Sequence, residues 1–112
     1  MMNLSKQLRI QSLKRKTEIK EVFEKGKKVY FDFGLIVLYN NTKDEKTRKV
    51  AILVKKKSGN AVVRNRIKRI IRHAICAQPE IYENYNRVVF LYKERGKADY
   101  NSIVNQIRNR LK

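Results

Sequence analysis

Eight basic side chains occupy the stretch from Lys55 to Arg72 with no acid among them: Lys55, Lys56, Lys57, Arg64, Arg66, Lys68, Arg69 and Arg72. Guanidinium forks suit bidentate contacts to phosphate, and lysines add point charges beside them. On a helix, Arg64, Lys68 and Arg72 stand at i, i+4 and i+8 and form one row, with Arg66 and Arg69 round the other side. Like charges at that spacing cost roughly 0.2–0.5 kcal/mol per pair on an isolated helix. A helix that only meets solvent interleaves acids, as Glu18, Glu21 and Glu24 do earlier in the chain. An acid-free ridge is therefore read as a surface for phosphates.

Other chemistry is sparse. His73 is the sole histidine and is expected at the surface or against RNA, since no second His or acidic cluster stands near it in sequence. Asp32, Asp44, Glu45, Glu80, Glu83, Glu94 and Asp99 are scattered, with no spacing suited to two-metal hydrolysis. Cys76, the only cysteine, can form neither an intramolecular disulfide nor a Cys-based zinc site, and is expected on a helix's buried face. No side-chain set reads as a protein active site or a metal site. Any catalysis is expected to come from a partner.

The elements that must position the ridge follow from periodicity. Asn60 can cap a helix whose apolar residues Val63, Ile67, Ile70, Ile71, Ala74 and Ile75 form a continuous stripe, with Pro79 marking its end. Upstream, Thr17 to Lys25 reads as a short helix burying Ile19, Val22 and Phe23, stopped by Gly26 in a left-handed C′ position. Val29, Phe31, Phe33, Leu35, Val37 and Tyr39 share one parity, and Asp32-Phe33-Gly34 marks a turn or bulge. That segment is one long bent strand or two short ones. Lys49 to Lys55 reads as a strand apolar on both faces, and Arg87 to Tyr92 as another. Asp99 can cap a last helix with Tyr100, Ile103, Val104, Ile107 and Leu111 turned inward. The order, α-β-β-β-α-β-α with two or three strands ahead of the main helix, predicts an α+β sandwich: one mixed sheet of about four strands with helices packed on it.

Composition sets the frame. The 112 residues carry 28 Lys and Arg against 10 Asp and Glu, a net +18, yet 42% are hydrophobic. Such a chain can fold as one domain over 1–112, with 1–12 as an N-terminal arm laid against the domain or left mobile. Self-repulsion at this charge calls for an anionic partner, and nucleic acid leads. The longest apolar run, Gly34 to Tyr39, is strand-length, so no membrane span is expected. With no secretory signal at the N-terminus and a lone cysteine, a cytoplasmic setting is expected.

The run Lys56-Lys57-Ser58-Gly59-Asn60-Ala61-Val62-Val63-Arg64-Asn65-Arg66, continuing through Lys68-Arg69 to Arg72, closely resembles the signature of the bacterial ribonuclease P protein component. Leu13-Lys14-Arg15-Lys16, followed by Val22-Phe23-Glu24-Lys25-Gly26, is similar to that family's first helix, and the resemblance extends over roughly residues 8 to 112. It implies a ribosomal protein S5 domain 2-like fold with a left-handed strand-helix-strand crossover. It also implies a non-catalytic, monomeric subunit bound 1:1 to a catalytic RNA. Together they remove the 5′ leader from precursor tRNA, with Mg²⁺ acting through the RNA.

Carried over by position, Lys56, Lys57, Arg64, Asn65, Arg66, Lys68, Arg69 and Arg72 would face the catalytic RNA. Ile19, Phe23, Tyr39, Leu53 and Lys55 would line a leader-binding cleft, with Val37 the alternative to Tyr39. Ile19 stands where the family often has an aromatic residue, and Ala51, Leu53 and Lys55 replace small ones, so Leu53 narrows the cleft and Lys55 offers a phosphate contact. A different basic RNA-binding module, such as a ribosomal protein of related fold, would account for charge and fold but not for the motif. A self-sufficient metal nuclease would need the acid cluster that is missing.

Overall fold

The computed structural model describes residues 10–43, 47–78, 84–94 and 99–110. In chain order these form β1 (Ile10–Ser12), α1 (Lys16–Lys25), β2 (Lys27–Phe31), β3 (Gly34–Tyr39) and β4 (Arg48–Val54). A 3-10 turn (Lys56–Ser58), α2 (Ala61–Cys76), β5 (Arg87–Tyr92) and α3 (Tyr100–Arg110) follow. The strands make one mixed sheet in the order β1-β4-β5-β3-β2. The centre is a parallel β4–β5 pair joined through α2, β1 is parallel to β4, and β2 and β3 are antiparallel additions. Expectations for residues 1–9, Asp44, Glu45, Pro79, Glu80, Glu83, Leu111 and the Cys76 side chain lie outside the described residues.

Among the described residues the sheet has five strands rather than about four. The extra one comes from the end of the expected arm: Ile10, Gln11 and Ser12 pair with Arg48, Lys49 and Val50, and Leu13 is buried just beyond. Three residues are too few to display alternation, and the ladder that makes them a strand is supplied by β4.

Val29 to Tyr39 is a hairpin, with Phe31 facing Gly34 across Asp32-Phe33. That reversal overturns the shared parity. Pairing of Val29 with Ile36 sends Val29 and Phe31 to the same face as Ile36 and Leu38, while Leu35, Val37 and Tyr39 face the other way. Alternation persists through a straight strand but not through a turn.

Gly26 is extended, at φ −79° and ψ 163°, and not left-handed. The chain passes straight from α1 into β2, and a Cβ at Gly26 would meet Val22 O at 2.5 Å and Val37 Cγ1 at 2.6 Å. The glycine permits close approach of helix and sheet. Tyr100, expected inward, is exposed, because it stands at the first position of α3 ahead of the buried Ile103, Val104 and Ile107. Asp99 does cap that helix, its Oδ1 accepting from Asn101 N at 3.3 Å.

The two faces of the sheet bury separate cores. Under α2 and α3 lie Ile67, Ile71, Ala74, Ile75, Ile103 and Ile107, packed on Ile36, Leu38, Val88 and an aromatic column. In that column Phe33 stacks on Phe31 at 5.0 Å and on Phe90 at 5.1 Å. The opposite face carries α1, which packs on β3 and β5. The outer edge of β2 is tied to α3: Arg110 Nη1 donates to Tyr30 O at 3.1 Å with its guanidinium 5.9 Å from the Phe31 ring centroid, and Asp32 N donates to Gln106 Oε1. Such cover blunts an edge that could otherwise recruit another strand.

Candidate nucleic-acid interface

The basic ridge stands on a helix started as the sequence requires. Asn60 Oδ1 accepts from Val63 N at 3.0 Å, and Gly59 just before it sits at φ 153°, a backbone state that side-chain-bearing residues rarely adopt. Ile67, Ile71, Ala74 and Ile75 then point into the core and Val63 and Ile70 pack at its margin, which leaves the other helix surface to the charges. Asn65, Arg66, Arg69 and Arg72 are exposed, and Arg64 and Lys68 half-buried. Among the described residues no carboxylate lies within 4 Å of any of these cations or of Lys55, Lys56 or Lys57.

Lys56 and Lys57 lie in the 3-10 turn that leads from β4 to α2. Two buried polar atoms here have no hydrogen-bond partner among the described residues: the Nε of Arg64 and the Oγ of Ser58, a residue the sequence did not single out. The Lys68 and Arg72 side of the helix borders a cleft of about 340 Å³ that runs past Lys14 along the β4 edge beyond β1. His73 is exposed on α2, as expected. At the end of β5, beside the β4 exit, burial, and next the Glu94 carboxylate, push the Tyr92 phenol above its ordinary range, so it stays protonated at physiological pH.

The second site lies on the reverse of the sheet. Leu13, Val22, Leu35, Val37, Ala51 and Val89 form its buried floor, and Ile19, Phe23, Tyr39, Leu53 and Leu91 pack on it half-exposed. Four of the five residues expected in the cleft are thus together. Lys55, exposed, follows Leu53 on the same parity, with its N–H continuing the ladder to Tyr92 O at 3.1 Å. Of the two alternatives on this strand, Val37 is 0% exposed beneath Gly26 and Tyr39 is half-open.

α1 is fixed over this floor by charge as well as packing. Glu18 Oε2 lies 3.6 Å from Lys49 Nζ and 3.9 Å from Arg87 Nε. Arg87 is 2% exposed and also donates to Thr47 O at 2.8 Å and Asn86 O at 2.9 Å. Sequence reasoning treated Glu18 as one of three solvating acids. Glu21 and Glu24 are that, in exposed i, i+4 pairs with Lys25 and Lys20.

Tyr30 was missed altogether. It is 60% exposed on the same face as the groove, and its parity was concealed by the hairpin.

A mixed sheet with an acid-free helical ridge on one face and a half-open aromatic groove on the other defines a class, strongly basic α+β proteins with one cationic helical surface. Residues 8–112 match the family described as Ribonuclease P. The chain is 36% identical over 100 residues to the ribonuclease P protein component of Streptococcus agalactiae serotype Ia, covering 89% of this chain and 90% of that one. It is 38% identical over 100 residues to the one from Petrotoga mobilis, covering 85% and 83%. It therefore belongs to the ribonuclease P protein component family.

Two solved structures share the fold. The Staphylococcus aureus RNase P protein matches at TM-score 0.72 and 24% identity over 89% of this chain and 91% of that one. The Thermotoga maritima RNase P protein matches at TM-score 0.69 and 20% identity over 88% and 93%. The match to this family excludes the alternative of a ribosomal protein of related fold.

Proposed function

We propose that this chain is the RNA-gripping protein subunit of ribonuclease P. One face binds a catalytic RNA and the other guides the 5′ leader of precursor tRNA during endonucleolytic removal of that leader. The observation that carries this reading is the placement of the two surfaces on opposite faces of one sheet, with the cations of α2, which have no carboxylate partner among the described residues, behind it and the Phe23–Tyr39 groove in front. Arg64, Asn65, Arg66, Lys68, Arg69 and Arg72, with Lys56 and Lys57, neutralise phosphates of the catalytic RNA. Assembly then releases counterions and weakens steeply with salt. Ile19, Phe23, Tyr39 and Leu53 offer apolar and aromatic faces to unpaired bases, and Lys55 meets the leader backbone.

The chemistry is assigned to the RNA, with Mg²⁺ held by RNA phosphates. Among the described residues no three His, Cys, Asp or Glu side chains converge to hold a metal ion. The complex is taken as one protein to one RNA, working in the cytoplasm. Among the described residues no helix is long and apolar enough to cross a membrane.

The test is affinity of the catalytic RNA, with and without this protein, for precursor and for mature tRNA. The protein should tighten binding of the precursor and leave mature tRNA nearly unchanged. Equal gains for both would remove the leader-guiding role.

A further inference from the structure

The strand register places four side chains in one row on the groove face. Leu53 of β4 pairs with Leu91 of β5, Leu91 with Leu35 of β3, and Leu35 with Tyr30 of β2. The row begins beside Lys55–Lys57 and ends at the outer edge strand, where Tyr30 stands 60% exposed. An aromatic ring that open, on a strand whose other face turns Val29 and Phe31 toward the core under α3, buries little of its own surface. Its own carbonyl is held by Arg110, which fixes the backbone from which the ring projects. Lys28, exposed two residues away and therefore on the same face, supplies a cation at the same rim.

We infer that Tyr30 is a base-stacking platform that extends the leader groove across β2, taking an unpaired base of the leader with Lys28 on its phosphate. This rests on the leader-guiding reading above and adds a subsite to it. The direction follows from the fold. The catalytic RNA is assigned to the β4 exit and α2, so the scissile bond lies toward the Leu53 end, and Tyr30 meets the leader far from it. Three interstrand spacings separate the two ends, about 14 Å, the rise of roughly four stacked nucleotides. A very short leader cannot reach Tyr30; a longer one can. A stacking ring also accepts any base, so the subsite adds affinity without sequence preference.

The experiment measures holoenzyme affinity for precursor tRNA with a leader of one or two nucleotides and with a leader of about eight, using Tyr30→Ala, Tyr30→Phe and Phe23→Ala. Tyr30→Ala should weaken the long-leader precursor about tenfold, equivalent to about 1.4 kcal/mol, and leave the short-leader precursor unchanged. Tyr30→Phe should retain wild-type affinity, because the ring is what stacks. A long leader carrying one abasic nucleotide at the reached position should lose the same factor with wild-type protein and nothing further with Tyr30→Ala.

No loss on the long leader, or an equal loss on both, overturns the inference. If Phe23→Ala still discriminates against leader while Tyr30→Ala does not, only the extension fails. If neither variant affects leader binding, the groove reading fails with it.

Discussion

Glu18→Gln removes the charge that pins α1 over the sheet while keeping the side chain's size. In the folded protein this carboxylate has Lys49 Nζ at 3.6 Å, Arg87 Nε at 3.9 Å and Arg15 Nε at 4.0 Å. Arg15 is largely exposed and contributes little. The other two are different: Glu18 is 29% exposed, Lys49 23% and Arg87 3% in their side chains, so solvent screens them only partly. At these distances each attraction is about 1 kcal/mol in water and roughly 4 kcal/mol at the effective dielectric of a protein margin.

Desolvation offsets much of that, and Arg87 keeps its bonds to Thr47 O and Asn86 O after the substitution. The net loss should be about 2 kcal/mol, or a fall in melting temperature of roughly 8 °C for a chain of this length. Urea unfolding gives the same quantity through the midpoint at constant slope. Glu21→Gln, which removes only an exposed pair with Lys25, should cost under about 0.5 kcal/mol. The variant that still folds should also lose part of its preference for precursor over mature tRNA, since α1 forms one wall of the groove. Equal, small losses for the two glutamates would refute the claim that Glu18 positions the helix.

Phe23→Ala should weaken precursor binding by about 1–3 kcal/mol and leave mature tRNA alone; filter binding of the two tRNAs to holoenzyme checks it. Arg66→Ala should weaken assembly with the catalytic RNA and lower the slope of log affinity against log salt by about 0.7–0.9, one phosphate's worth. An unchanged slope would place Arg66 off the RNA. Asn60→Ala, which strips the cap from Val63 N, should cost about 1 kcal/mol in urea unfolding. Sulfate should raise the melting temperature of the free protein more than chloride at matched ionic strength, because bound anions favour the native state. Indifference to the anion would contradict that.

The main helix was legible because several independent signals coincide on it. Asn60 caps it, an apolar stripe continues from Val63 to Ile75, and its remaining surface is cationic. The cleft residues were legible only through family resemblance, since Ile19, Phe23, Tyr39 and Leu53 come from three separate elements and share no local pattern. What was concealed had non-local causes. β1 exists through its pairing with β4, and the Glu18–Arg87 contact joins residues distant in sequence. Tyr30 was hidden because a two-residue reversal at Asp32-Phe33 exchanges the faces of odd and even positions. Gly26 looked like a helix stop and is a spacer, because its constraint is the proximity of Val37 rather than its own torsion angle.

The most direct test is a reconstitution at physiological Mg²⁺ with three arms: the catalytic RNA alone, this protein alone, and the two together, each given a leader-bearing precursor tRNA. The RNA with the protein should release the leader and leave a 5′-phosphate on mature tRNA, with tighter substrate binding and faster cleavage than RNA alone. The protein alone should cleave nothing. Cleavage by protein without RNA, or no gain when the protein joins the RNA, would contradict the account.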